Sequence, residues 1–276
     1  MTESMKAEAA EDEASKVFEG VRELWRYREL FYFLVWRDVK VRYKQTVFGI
    51  IWAIMQPFVT MIVFTIFFKK LANMPSDGIP YPIFSYSALL PWIYFSGAIN
   101  NAGMSLVQNS HLLTKVYFPR VAVPASACFC GLVDFGVASV MLFGLMAWYR
   151  VCPNWEIILL PMLMVPMILL TLGVGLIFAA LNVRYRDVRY ALPFVTQIFL
   201  FITPVIYPCS LIPERFKPLL AMNPLTGLIE AFRNSLLPSQ QIDWSVLGIS
   251  VVSSMVLFFI GFVYFRKMER TFADVI

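Results

Sequence analysis

The chain alternates long apolar blocks with short polar connections, and six blocks have the length of membrane crossings: residues 47–68, 83–102, 121–149, 157–181, 190–208 and 244–265. The first holds 22 consecutive residues without an ionisable side chain. At about 1.5 Å per residue, such a helix reaches across a hydrocarbon core about 30 Å thick. The second and fifth blocks are less regular, interrupted by Pro91, Asn100 and Asn101 in one and by Pro193 and Pro204 in the other. The pattern predicts an all-α polytopic membrane protein in which residues 15–276 form one unit around a six-helix bundle.

The connections carry periodicities of their own. Val17, Phe18, Val21, Leu24 and Trp25 recur at three- and four-residue steps with charged residues between them. This predicts an amphipathic helix over 15–35, lying on the membrane surface or against a partner protein. The residues before it, 1–14, are acidic and read as a disordered cytoplasmic tail. Between the second and third blocks, Leu106, Leu113, Val116 and Tyr117 lie near helical spacing ahead of Pro119, predicting a short cytoplasmic helix over 105–117. Residues 182–189 form a compact basic turn. Residues 209–242 read as two short amphipathic helices split at Asn223 and Pro224, outside the cytoplasm and tucked back toward the bilayer as a lid.

Charge fixes an orientation. Arg37, Lys40, Arg42 and Lys44 precede the first block with only Asp38 opposing them. With both termini inside, 17 of the 23 Lys and Arg fall in cytoplasmic parts. Such asymmetry is what retention of positive loops produces. The composition, 59% hydrophobic and 15% charged with a mean hydropathy of +0.68, belongs to a membrane protein. The net charge of +5 therefore reads as topology and not as a nucleic-acid surface. Four cysteines give no framework: Cys128 and Cys130 sit in an apolar block, and a Cys152–Cys209 bridge is open because both fall outside the cytoplasm. A C-x-C pair with one distant histidine is poor metal chemistry, so no metal site is expected.

Catalytic chemistry is scarce. His111 is the single histidine and reads as a contact residue. No G-x-x-x-x-G-K-S/T cradle for phosphates occurs, nor the acidic clusters of a metal-dependent transferase, so no catalytic residue is assigned. Asp134 lies within the third block, where a carboxylate is costly unless paired or wetted. It reads either as a polar contact in a translocation path, or as a protonated acid or hydrogen-bond partner of a residue such as Asn100 or Asn101. Aromatic residues crowd two blocks, among them Tyr86, Trp92, Tyr94 and Phe95 in the second and Phe194, Phe199 and Phe201 in the fifth. Aromatic faces suit the stacking of sugar rings in a channel; they equally suit lipid-facing belts and core packing.

Six motifs in order carry a resemblance: RDVKVRYKQTVFGIIWAIMQP at 37–57, LLPWIYF at 89–95, NSHLLTKVYFPRVAVP at 109–124, NVRYRDV at 182–188, TPVIYP at 203–208 and NPLTGLIEAFRNSLL at 223–237. From about Leu24 onward the chain resembles the permease subunits of polysaccharide-exporting ABC transporters, which serve O-antigen, capsule and teichoic-acid export. The longer acidic N-terminus departs from the commoner pattern. The resemblance implies two copies of this chain around a pore and two copies of a separate ATPase that binds ATP and Mg; no cofactor is expected in this chain. It implies an interface helix near 15–33 and a coupling helix at 105–117. Ser110, His111, Leu113, Lys115 and Val116 are its candidate contacts to the ATPase, with Arg186 and Asp187 nearby. Helices at 211–237 would form an extracytoplasmic gate with Phe216, Leu220, Leu228 and Phe232. The cargo would be a glycan on a lipid diphosphate, received at the inner membrane of a bacterium by Arg37, Lys40, Arg42 and Lys44, which equally serve as topology signals.

Rival readings differ in what they require. An ion-coupled secondary transporter needs matched repeats and several intramembrane charges. A glycan-processing enzyme needs acid or histidine clusters. An exporter of a lipid, a drug or a teichoic-acid-type polymer on the same scaffold is separated only by the aromatic crowding.

Overall fold

A computed structural model describes residues 25–44, 49–115, 118–238, 241–269 and 272. Among them the regular structure is all helical, with no strand. The first helix with both ends among the described residues, α1 (Arg28–Lys44), overlaps the end of the predicted 15–35 helix and runs through the basic stretch; Trp25 and Arg26 ahead of it are helical as well. Residues 15–24 and the tail 1–14 lie outside the described residues. Glu29 in its first turn and Arg42 and Lys44 in its last complement the helix dipole. Gly49, at a positive φ of 50°, turns the chain into α2 (Ile51–Phe64), which continues as a π-helical stretch, Thr65–Leu71.

The next helix, α3 (Tyr81–Gln108), is longer than the predicted block and absorbs residues 105–108. Asn109 breaks it, its side-chain amide donating to the Ser105 carbonyl at 2.8 Å, so the helix predicted over 105–117 starts only at Ser110, as α4 (Ser110–Lys115). Then come α5 (Ala122–Trp148) and α6 (Leu160–Arg184), the latter entered through a 3-10 turn, Trp155–Leu159, capped by Asn154. The fifth block is cut short. α7 (Val188–Ile202) has 15 residues, about 22 Å of helix, too little to cross the hydrocarbon core alone. Tyr207 Oη donates to the Phe201 and Ile202 carbonyls at 3.2 and 3.0 Å, satisfying groups that a helix end leaves open. Thr203 to Ile206 fold back into the interior, where irregular backbone is tolerated at membrane depth.

The two short helices predicted within 209–242 divide where the sequence marks them, into α8 (Lys217–Ala221) and α9 (Pro224–Leu236). Asn223 caps α9 by accepting from Leu225 N at 3.1 Å, and Pro224 fills the first helical position, where no N–H is needed. Asp243 caps α10 (Trp244–Glu269) in the same way. Four helical segments among the described residues are long and apolar enough to cross a membrane: Ile51–Leu71, Ala122–Trp148, Trp155–Arg184 and Trp244–Glu269.

The core is built around α3, which packs on α5 and α6 and also touches α2, α7 and α9. Small residues set the spacing. A Cβ on Gly261 would run into the Gly173 carbonyl, so α10 and α6 meet backbone to backbone. Such contacts replace the hydrophobic driving force that lipid removes. A second apolar cluster at one end of the bundle gathers Leu34 of α1, Leu106 of α3, Phe118, Val183 of α6 and Phe265 of α10, with Leu112 of α4 against it. The short α4 therefore sits on the ends of several helices at once.

Candidate functional site

A cleft of about 500 Å³ with polar walls lies between the end of α1, the start of α2, and the middles of α3 and α5. Gln56, Ser96, Asn100, Asn101, Arg42, Tyr43 and Asp134 give it polar walls, while Trp52, Ile93, Tyr94 and Phe135 supply apolar ones. Asp134 does not bond Asn100 or Asn101. Its two oxygens take Arg42 Nη1 and Tyr43 Oη, both from the last turn of α1. A carboxylate within an apolar helix thus finds a cation supplied 92 residues earlier in sequence. Asn100 instead donates to the Ser96 carbonyl at 2.7 Å and reaches Thr196 Oγ1 of α7 at 3.4 Å.

The rest of α1 is stitched to the same neighbours. Arg37 holds Asp38 at 2.8 Å and the Asn109 side-chain oxygen at 2.9 Å, directly before α4. Ser126 of α5 donates to Asp38 at 3.0 Å, and Phe31 meets Phe129 edge to face. Of the four cations proposed for a diphosphate, Arg37 and Arg42 are engaged in these bonds. Lys40 and Lys44 are exposed, Lys40 lying over the Trp36 ring at 5.4 Å.

The aromatic candidates separate into two groups. Tyr86, Trp92 and Phe95 are buried within the chain, Tyr86 donating to the Ala138 carbonyl at 3.0 Å; Tyr94 is buried too and borders the cleft. These four pack the interior of a single copy. Phe194 and Phe201 are exposed on the face of α7 opposite the buried Leu192 and Thr196, while Phe199, on the same side as Leu192, is only 39% exposed. The exposed side of α2, with Met55, Val59, Ile62 and Phe67, is as apolar.

At the start of α4, Ser110 is half-buried and His111 exposed. Leu113 and Lys115 fall within α4, and Val116 lies outside the described residues. Arg186 and Asp187 are exposed in the turn before α7. At the other end Phe216 is exposed and Leu220 half-buried, but Leu228 and Phe232 of α9 are buried among α3, α5 and α10 and present nothing to a passage. The Cys152–Cys209 bridge is not formed: all four cysteines are free. Burial and a hydrogen bond to Glu230 push the Cys209 thiol well above its ordinary pKa.

Two features are not evident from the sequence, one without any signal and one with only half of it. Arg233 is wholly buried on α9, its Nη1 on the Pro204 carbonyl at 3.2 Å and its guanidinium 4.2 Å from the centre of the Phe84 ring. It joins α9, the 203–206 turn and α3; burial pulls its pKa below the ordinary arginine value. The Arg42–Asp134 pair was half visible, as a stray acid and a nearby run of cations, but nothing in spacing joined them. Among the described residues no cluster of His, Cys, Asp or Glu suits a metal ion. The cleft can bind and orient an anion or a hydroxylated group; it holds no activated nucleophile.

Comparison with known proteins follows this geometry along nearly the whole chain. Residues 29–237 match the model of the ABC-2 type transporter family. The O-antigen export system permease protein RfbA of Myxococcus xanthus is 30% identical over 258 residues, covering 92% of this chain and 98% of that protein. A Klebsiella pneumoniae protein of the same name is 26% identical, covering 87% and 92%. The polysialic acid transport protein KpsM of Escherichia coli is 24% identical, covering 85% and 91%. A match that runs from α1 through α9, with relatives aligned almost end to end, places this chain in the ABC-2 type transporter family, as a polytopic membrane permease.

Proposed function

We propose that this chain is the membrane half of an ATP-driven exporter that moves a lipid-linked polysaccharide of O-antigen or capsular type across the bacterial inner membrane. The end-to-end likeness to permeases named for O-antigen and polysialic acid transport carries the reading. In it, two copies of the chain stand side by side above two copies of an ATPase that binds ATP and Mg. Both termini are cytoplasmic. The 28-residue α3 and the pairing of α7 with the folded-back 203–208 stretch complete six crossings.

Several features support a division of work. The α4 segment and the turn at Arg186 and Asp187 are the docking surface for the ATPase. Displacement of α4 passes through Asn109 and Arg37 to α1, and along α3 to the centre of the bundle. The exposed apolar faces of α2 and α7 meet the second copy and the cargo, with Phe194, Phe199 and Phe201 as sliding surfaces for sugar rings. The basic end of α1 receives the carrier diphosphate, since cations at a membrane surface attract phosphate oxygens.

The test is transport by purified protein. The chain and its ATPase, reconstituted in vesicles with a fluorescent lipid-linked glycan, should move the glycan to the far leaflet only with ATP. Movement without the ATPase, or ATP-driven movement of lipids that ignores the glycan, would overturn the reading.

A further inference from the structure

We infer that Asp134 is a built-in stand-in for the cargo's diphosphate: it occupies Arg42 and Tyr43 at rest, and a lipid-borne diphosphate entering the cleft displaces it. This deepens the proposed function and rests on it. Three observations meet here. Asp134 sits in the apolar helix α5, where a carboxylate is retained only with strong partners, and its two oxygens take a guanidinium and a phenol from adjacent positions of α1. That is the donor set a phosphate would take, a cation and a hydroxyl converging on two oxygens. The pair forms part of the wall of an open cleft whose other polar groups, Gln56, Asn100 and Asn101, offer further donors to a diphosphate or its first sugar. At about 500 Å³ the cleft is the size of a small-molecule pocket, fit for a headgroup and not for a polymer.

The charge balance gives the exchange its direction. The resting pair is neutral, so the cation is shielded from stray anions. Both side chains remain about one-third exposed, which leaves a path for exchange. A diphosphate carries more negative charge than one carboxylate and wins the guanidinium only when it is delivered to the mouth of the cleft. Release of Asp134 also cuts the bond between α1 and α5 at that point, so arrival of cargo loosens the helix that reaches Asn109 and the coupling segment.

The experiment uses the permease–ATPase complex in nanodiscs and three probes: a short polyprenyl diphosphate, the matching polyprenyl alcohol and inorganic pyrophosphate. In the wild type, modification of Asp134 by a hydrophobic carbodiimide should rise severalfold with polyprenyl diphosphate and stay flat with the alcohol. An equal rise with pyrophosphate would identify free diphosphate as the ligand and overturn the lipid-borne version. Asp134→Asn should bind polyprenyl diphosphate about tenfold tighter, and Arg42→Gln about tenfold weaker, the scale of one charged hydrogen bond. The double variant should bind as weakly as Arg42→Gln. Because the carbodiimide measurement reads the unmutated chain, a variant that fails to fold does not protect the idea. Unchanged labelling at a concentration where polyprenyl diphosphate is bound defeats the exchange while leaving the exporter reading intact. Absence of any polyprenyl diphosphate binding defeats both.

Discussion

Helices α2 and α3 stand next to each other and invert the usual rule. The α2 segment is among the most apolar of the chain, yet Trp52, Met55, Val59, Ile62 and Phe67 are exposed in a single copy. By contrast α3 carries Ser85, Ser87, Ser96, Asn100 and Ser105 and four aromatic hydroxyls or N–H groups, and nearly every residue from Tyr81 to Ala102 is inward or half-buried. In a bilayer the surroundings are as apolar as any core, so hydrophobicity does not draw a helix inside. Small side chains and satisfied polar groups do. Ser87, Ser96 and Ser105 donate to carbonyls three residues back, and the Asn182 amide donates to the Gly103 carbonyl at 2.8 Å.

The comparison breaks most visibly at matched phenylalanines. Phe84→Ala on α3 removes a fully buried ring and strips the Arg233 guanidinium of its aromatic partner, and should cost about 3–5 kcal/mol. Phe67→Ala on α2 should change the stability of one copy by less than about 0.5 kcal/mol. Thermal unfolding in detergent reads both, and equal losses would show that the two helices do not differ in this way. A smaller effect sharpens the same contrast within one helix. Gly261→Ala on α10 drives a methyl into the Gly173 backbone and should cost about 1–3 kcal/mol, whereas Gly248→Ala meets open space and should be neutral or slightly stabilising.

These contrasts explain what the sequence discloses and what it withholds. Helix positions follow from local chemistry: the 121–149 block is Ala122–Trp148, and the Asn223–Pro224 step starts α9 because a side-chain cap and an absent N–H suit a first turn. Element ends that depend on distant groups are different. The stop of α7 at Ile202 needs Tyr207 to fold back onto its last carbonyls, and the pairing of Arg42 with Asp134 needs α1 laid across α5. Facing is the least legible property. Leu228 and Phe232 form a good apolar stripe, and a stripe reads the same whether it lines a gate or, as here, the core. Trp92 and Phe201 are likewise both aromatic residues in apolar blocks, and only packing separates the buried one from the exposed one.

That last separation carries the account, because the proposed conduit uses exposed faces and excludes the interior of one copy. A photoreactive phenylalanine analogue placed at Phe201, and in a separate protein at Trp92, can be irradiated while the reconstituted complex turns over lipid-linked glycan. Cross-links to glycan at position 201 and none at position 92 are expected. Glycan captured at position 92 with position 201 silent would put the passage through the α3 core and contradict it.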